Sequence, residues 1–169
     1  TINIFTKNPE KGFHKDFQYN TGSNGLQNFS GSLSGADEKN SFYLGLERFH
    51  TDGISAMMHN DEKDRYRNNS LVAKYNYKLK DNLNFKSNLR FADTYLQYDK
   101  EVDTATATHD EEFDGIEASY NMNIIHDIND KFTNNFTLAN TYKKRVYSAT
   151  IDSGNPVKDN YYGERYALS

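Results

Sequence analysis

The chain of 169 residues has no cysteine, no tryptophan and only two prolines. Without cysteine it can form neither a disulfide framework nor a thiolate metal site, although this fixes no cellular compartment. No stretch approaches the ~20 consecutive apolar residues that a transmembrane helix needs. The formal net charge of -4 also argues against a nucleic-acid partner, which normally requires a basic surface.

Aromatic residues are abundant, with 13 tyrosines and 11 phenylalanines in a polar, asparagine-rich background. This composition favours strands and turns over helices. The hydrophobic share of 36% and the mean hydropathy of -0.94 are low for a fully buried soluble core. A transmembrane β-barrel accommodates such a composition, because each strand presents one face to lipid and can carry polar groups on the other.

Apolar and polar residues alternate along segments of about nine to eleven residues, the length that a tilted membrane strand requires. In residues 70–80, for example, Leu71, Ala73 and Tyr75 fall on one side, while Val72 and Lys74 fall on the other. The alternation predicts eight antiparallel strands in meander order, in segments 13–21, 26–35, 41–50, 70–80, 82–91, 116–124, 132–142 and 161–168.

The predicted connections alternate between short turns and long polar links. Short turns fall at 36–40, 80–82 and 126–130, and long links at 51–69, 93–112 and 148–160. Outer-membrane barrels have short periplasmic turns and longer extracellular loops, so the pattern favours an antiparallel transmembrane β-barrel. A soluble β-sandwich, such as a carbohydrate-binding module, is the alternative.

Several segments resemble TonB-dependent outer-membrane receptors. Residues 1–7, Thr-Ile-Asn-Ile-Phe-Thr-Lys, look like the strand that closes the plug domain of this family, and residues 19–25 are similar to its short glycine- and serine-containing first loop. Residues 51–55 and 60–68 are similar to the second extracellular loop of the cobalamin (vitamin B12) receptors, and Tyr98-Asp99 matches the same branch.

The resemblance implies a plugged barrel of about 22 strands. Residues 1–9 would be the last strand of the plug, and residues 10–169 the N-terminal part of the barrel, with both ends of the chain cut. The implied function is TonB-dependent uptake of cobalamin across the bacterial outer membrane, with TonB engaging a segment outside this sequence. A siderophore (iron-chelate) receptor is the nearest alternative. We expect no enzymatic activity, because the sequence contains no phosphate loop, nucleophile elbow or zinc motif.

Four loop acids form the predicted metal site. Asp61, Glu62 and Asp64 lie within four positions, and Asp99 stands where the next outward loop begins. Calcium takes several oxygen ligands, and the resemblance implies calcium-ordered loops at this place. Where the family carries a further acid, this chain has Ser55. A solvated acidic loop is the alternative.

Tyr66 and Tyr98 are the predicted ligand contacts, because aromatic rings give a flat ligand a large contact area. A place in the aromatic girdle at the membrane interface is the alternative for both. Tyr95 is assigned instead to the aromatic girdle at the membrane interface. Two groups of cations have open roles. Lys74, Lys78, Lys86 and Arg90 form the polar side of two strands or pair with plug carboxylates. Lys143-Lys144-Arg145 contact lipopolysaccharide phosphates or are a solvated strand end.

Overall fold

The computed structural model describes residues 9–54, 63–99, 110–150 and 156–169. They form one antiparallel sheet of eight strands in the order β1 to β8, each hydrogen-bonded to its neighbours in sequence. The strands are β1 Gly12–Thr21, β2 Gln27–Ala36, β3 Asn40–Thr51, β4 Tyr66–Lys80, β5 Leu83–Asp99, β6 Asp110–Asn129, β7 Phe132–Thr150 and β8 Pro156–Leu168.

The prediction of eight antiparallel strands in meander order is confirmed. The sheet is open rather than closed into a barrel: within the described ranges, β1 pairs only with β2, and β8 only with β7. No helix in these ranges is long and apolar enough to cross a membrane. The proposed plug strand falls almost wholly within residues 1–8, outside the described part of the chain.

A single register places all the predicted apolar sides on one face of the sheet. Leu46 of β3 lies opposite Leu71, which lies opposite Phe91, which in turn lies opposite Ala118. Because directly opposed residues share a face, the apolar sets of neighbouring strands are continuous. We call this side the apolar face and the other the polar face. A slip of one residue in any pair would exchange the two.

Nothing in the described ranges covers the apolar face. Among the described residues no hydrophobic side chain is buried, and Phe13, Phe17 and Tyr19 are each more than 60% exposed. The other exposed large hydrophobics lie mostly on the same face, including Leu89, Phe91 and Leu138. A soluble sandwich requires two sheets with facing apolar sides, whereas these ranges contain one sheet.

The later strands are longer than predicted. β4 to β8 contain 15, 17, 20, 19 and 13 residues rather than about nine to eleven. The reason is that polar cross-strand pairs continue the ladder where the apolar alternation stops. Asn69 donates a side-chain hydrogen bond to Asp93 (3.2 Å), and Tyr95 donates one to Glu112 (2.8 Å). Strand pairing is a backbone property, so it persists without an apolar face.

The connections are correspondingly shorter than the sequence suggests, but their alternation is confirmed. One end of the sheet, the short-link end, carries links 37–39, 81–82 and 130–131. The other, the loop end, carries links 22–26, 52–65, 100–109 and 151–155. The turn predicted at 126–130 is displaced, because β6 continues to Asn129 before the chain reverses.

Short polar side chains shape the tight connections. Asp37 Oδ1 accepts hydrogen bonds from the backbone N–H groups of Lys39 and Asn40, both at 2.7 Å. Asn129 Oδ1 does the same for Lys131 and Phe132, at 2.9 and 3.1 Å. Such side chains mimic one arm of a backbone turn. Since the same device ends β2 and β6, it accounts for two of the three short links.

Candidate functional site

The predicted calcium ligands lie largely beyond what the structure describes. Asp61 and Glu62 are outside the described ranges, as is the side chain of Asp99 at the end of β5. Asp64 lies just before β4, beside Gly53. Within the described ranges no group of three or more His, Cys, Asp or Glu side chains converges on one point. The calcium site therefore remains a prediction.

The structure places the two predicted ligand tyrosines on the polar face at the loop end. Tyr66 opens β4, and its ring centre lies 5.7 Å from that of Phe49 on β3. Tyr98 lies near the end of β5, opposite Glu111 of β6. Both rings are half-buried. They share a face and an end of the sheet, as a common ligand surface requires.

Tyr95, assigned from sequence to the membrane girdle, lies on the opposite, apolar face. Its hydroxyl donates to Glu112 at 2.8 Å, and the Arg67 guanidinium lies 5.6 Å from its ring centre. Arg67 also approaches Asp93 at 3.8 Å. The ring thus stands where the apolar band gives way to charged residues, which is the position of girdle tyrosines in membrane barrels.

Aromatic side chains continue across the polar face beyond the two predicted tyrosines. Phe113 of β6 and Tyr147 of β7 are direct register partners, with ring centres 5.1 Å apart. Tyr161 of β8 meets Tyr147 edge-on at 5.8 Å. We call the whole group, which spans β3 to β8, the aromatic row: Phe49, Tyr66, Tyr98, Phe113, Tyr147 and Tyr161.

Glycine makes room for one ring of this row. A Cβ built on Gly115 would lie 2.6 Å from the tip of the Phe113 ring, so the ring folds down over the glycine. This arrangement holds Phe113 flat against the sheet rather than upright. The flat ring leaves space above it on the polar face.

Sequence analysis missed Phe49, Phe113, Tyr147 and Tyr161 as site residues. A signal was available, because each of them stands at a position that the alternation assigns to the polar face. Phe113, for instance, is out of phase with Ile116 and Ala118 on the same strand. An aromatic residue on an otherwise polar side is the departure from pattern that indicates a binding surface.

A cationic recess lies directly beside the aromatic row. A cavity of about 190 Å³ on the polar face is lined by Arg90 of β5, Lys143 and Arg145 of β7, the ring of Phe113, and Glu117. Lys143 forms an ion pair with Glu117 at 3.1 Å. Arg90 and Arg145 are exposed and have no acidic partner within the described ranges. We call these residues the basic recess.

The three consecutive cations at 143–145 therefore do not act as one group. Lys143 and Arg145 point to the polar face, whereas Lys144 points to the apolar face, where its ammonium lies 6.0 Å from the ring centre of Tyr162. If that face contacts lipopolysaccharide, only Lys144 of the three is placed to do so.

A larger groove crosses the polar face of β1 to β4. It has a volume of about 630 Å³, and its charged and aromatic lining residues are Asp16, Tyr43, Glu47 and Lys74. The Lys74 ammonium lies 6.0 Å from the centre of the Tyr43 ring. The groove is lined by charges of both signs, so it lacks the cationic excess of the basic recess.

Asp52 ties the first two loop-end connections together. Its N–H donates to the carbonyl of Asn24 at 2.8 Å, and its carboxylate lies 3.3 Å from Lys63 and 3.4 Å from His50. The hydrogen bond from Lys63, followed by that from His50, holds the pKa of the Asp52 carboxyl below its usual value. Asn24 and Gly25 both have positive φ, as a tight two-residue hairpin turn requires.

Comparison with known proteins adds no relative: no protein-family model, curated protein or solved structure matches the chain.

Proposed function

We propose that this chain is part of a TonB-dependent outer-membrane receptor that imports cobalamin, and that its eight strands form part of the wall of a larger plugged barrel. The observation that carries the proposal is the apolar face, which is continuous across eight strands and which no described part of the chain covers. Soluble monomers rarely expose contiguous apolar patches of more than a few hundred Å². A lipid bilayer is a partner that covers such a face along its whole width.

The height of the apolar band supports a lipid bilayer as the environment of the apolar face. On β5 the band runs from Leu83 to Phe91, which at ~3.4 Å per residue is roughly 27 Å along the strand. A tilt of ~40° reduces this to roughly 20 Å, close to the ~25 Å apolar band of outer-membrane barrels. Above it the same face carries Arg67, Asp93 and Asp114, which would lie in the headgroup region.

The polar face and the open edges support a larger barrel. The polar face carries Ser, Asn, Lys and Arg side chains that suit a water-filled or plugged lumen. The outer edges of β1 and β8 have no strand partner in the described ranges. Membrane barrels leave no unpaired edge in lipid, because unsatisfied backbone groups are costly there. Additional strands would close the wall.

Cobalamin is the proposed cargo because of the loop resemblance and the placement of Tyr66 and Tyr98 on the polar face at the loop end. In this proposal Asp61, Glu62, Asp64 and Asp99 hold calcium and so order the loops around the ligand. TonB supplies energy through a segment outside this sequence, and outer-membrane lipid with lipopolysaccharide surrounds the barrel.

Binding of cyanocobalamin to the full-length protein in detergent micelles tests the proposal. We expect calcium to tighten binding by at least about tenfold, which corresponds to ~1.4 kcal/mol. Replacing Asp61, Glu62, Asp64 and Asp99 by their amides should remove the calcium effect, whereas Asp81→Asn at the short-link end should preserve it. Cobalamin binding that does not depend on calcium would contradict the proposed metal site but would still support the proposed receptor function.

A siderophore receptor shares the fold and differs in its cargo, and the same preparation separates the two. A protein that binds ferric chelates and not cyanocobalamin belongs to the iron-uptake branch. Failure to bind either, together with failure to insert into lipid vesicles, would overturn the receptor proposal as a whole.

A further inference from the structure

We propose that the basic recess and the aromatic row together bind a ligand that combines a ring system with an anionic group, a phosphate or a carboxylate. The rings rest on Phe113 and Tyr147, and the anion occupies the recess between Arg90, Lys143 and Arg145. The proposal rests on the proposed receptor function in one respect only, namely that this function makes the polar face accessible to solutes.

The charges that line the recess favour the binding of an anion. Apart from Lys144, whose side chain lies on the apolar face, three cations and one carboxylate line a cavity of about 190 Å³. The carboxylate of Glu117 is already paired with Lys143. Two arginines are left over, without acidic partners in the part of the chain that is described. Arg90 of β5 and Arg145 of β7 both line this recess, although their strands are separated by β6. Arginine's planar guanidinium matches the oxygens of phosphate and carboxylate.

The aromatic row supplies the second half of the site. The Phe113 ring lies flat over Gly115 and is itself a wall of the recess. Tyr147 extends this surface at 5.1 Å and Tyr161 at a further 5.8 Å. Flat, rigid rings contribute contact area at low entropic cost and offer hydroxyl groups at their tips. A ring system placed on Phe113 therefore touches the recess without a spacer.

The register fixes the distance between the two halves. Arg145 and Tyr147 are two residues apart on the same strand and face, a separation of about 7 Å. Gly115 lies directly opposite Arg145, and the Phe113 ring covers this glycine, so the ring lies beside the cation. The site thus places a surface for a ring system next to a subsite for an anion, and a short flexible linker can join the two groups.

A pair of matched probes tests the proposal: riboflavin, and riboflavin 5′-phosphate, which differs only by its phosphate. Binding to the full-length protein in micelles is followed by quenching of flavin fluorescence. At low salt we expect the phosphate to tighten binding by about tenfold or more. Raising the salt to about 0.5 M should reduce the preference, because exposed charges are screened. Equal affinity for the two flavins would overturn the proposal.

Variants assign the effect to the two halves. Arg90→Gln with Arg145→Gln should abolish the phosphate preference and leave riboflavin binding unchanged, whereas Arg145→Lys should retain part of it. Phe113→Leu should weaken both flavins. Lys86→Gln is the control, since Lys86 shares the strand and face of Arg90 but lies outside the recess. A loss of preference in Lys86→Gln equal to that in the arginine variants would show general charge attraction and contradict the site.

The result of the flavin experiment can be distinguished from the result of the cyanocobalamin experiment that tests the proposed function. A protein that discriminates the two flavins and does not bind cyanocobalamin retains this site and loses only the cobalamin assignment. A protein that imports cobalamin and binds both flavins alike retains its function and loses the site.

Discussion

At the residue scale, glycine positions in the sheet differ sharply in what they tolerate. Gly35 of β2 is buried, and a Cβ there would lie 2.7 Å from the backbone oxygen of Gly12 and 2.9 Å from the Phe42 ring. Gly163 of β8 has no atom within 4 Å of the corresponding point. The first contact involves backbone, which cannot rotate away as a flexible side chain does.

Gly35→Ala should therefore destabilise the folded protein by about 1–3 kcal/mol, the usual cost of overpacking. Gly163→Ala should be neutral or slightly stabilising, because alanine narrows the unfolded ensemble. Denaturant unfolding of the two variants in micelles gives the comparison. Equal midpoints for the two variants would contradict the close approach of β1 and β2 at this position.

The tether at Asp52 should depend on pH in a defined direction. Its pKa is lowered in the folded protein, first of all by Lys63, so the stabilisation is present above the unfolded pKa of ~3.9 and is lost as pH falls through the lower folded value. Exchange of the backbone amide at position 52, which donates to the Asn24 carbonyl, should be slower near neutral pH and accelerate, relative to intrinsic rates, in strong acid. Asp52→Asn should show fast exchange throughout, and an Asp52→Asn profile identical to the parent would rule out the carboxylate as the tether.

At the element scale, consecutive residues of a strand lie on opposite faces of the sheet, and the two faces differ in chemistry. Leu89 and Asn88 of β5 are adjacent, both exposed, and point to the apolar and polar faces respectively. In water this difference has little consequence. In a bilayer it decides whether a charge meets hydrocarbon or the lumen.

Leu89→Lys should impair folding into lipid vesicles by about 2–4 kcal/mol, whereas Asn88→Lys should be tolerated. Vesicle-folding yields and urea midpoints of the two variants measure the difference. If the two lysines prove equally tolerated, the apolar face does not contact lipid. Because the chain has no cysteine, single cysteines at the same positions can also be labelled without background.

At the scale of the whole molecule, the outer edges of β1 and β8 have no strand partner among the described residues. Unpaired edge strands are templates for pairing with another chain. The 169-residue polypeptide studied by itself should therefore associate in a concentration-dependent manner through β1 and β8. Sedimentation in micelles tests this, and a single monomeric species at all concentrations would contradict it.

The sequence by itself determined the number and order of strands, the apolar side of the first seven, and the end that carries the long connections. These properties are local, since period-two alternation and turn residues act over a few positions. It did not determine strand ends such as those of β5 and β6, where polar pairs like Tyr95–Glu112 continue the ladder without an apolar signal.

Only the tertiary structure decided the aromatic row and the basic recess. Arg90 and Arg145 are 55 positions apart in the chain (145 − 90) and come to one cavity because β5, β6 and β7 pair in a particular register. Phe113 and Tyr147 meet for the same reason. Register is the sum of many backbone and side-chain pairs along whole strands, so no short segment contains it.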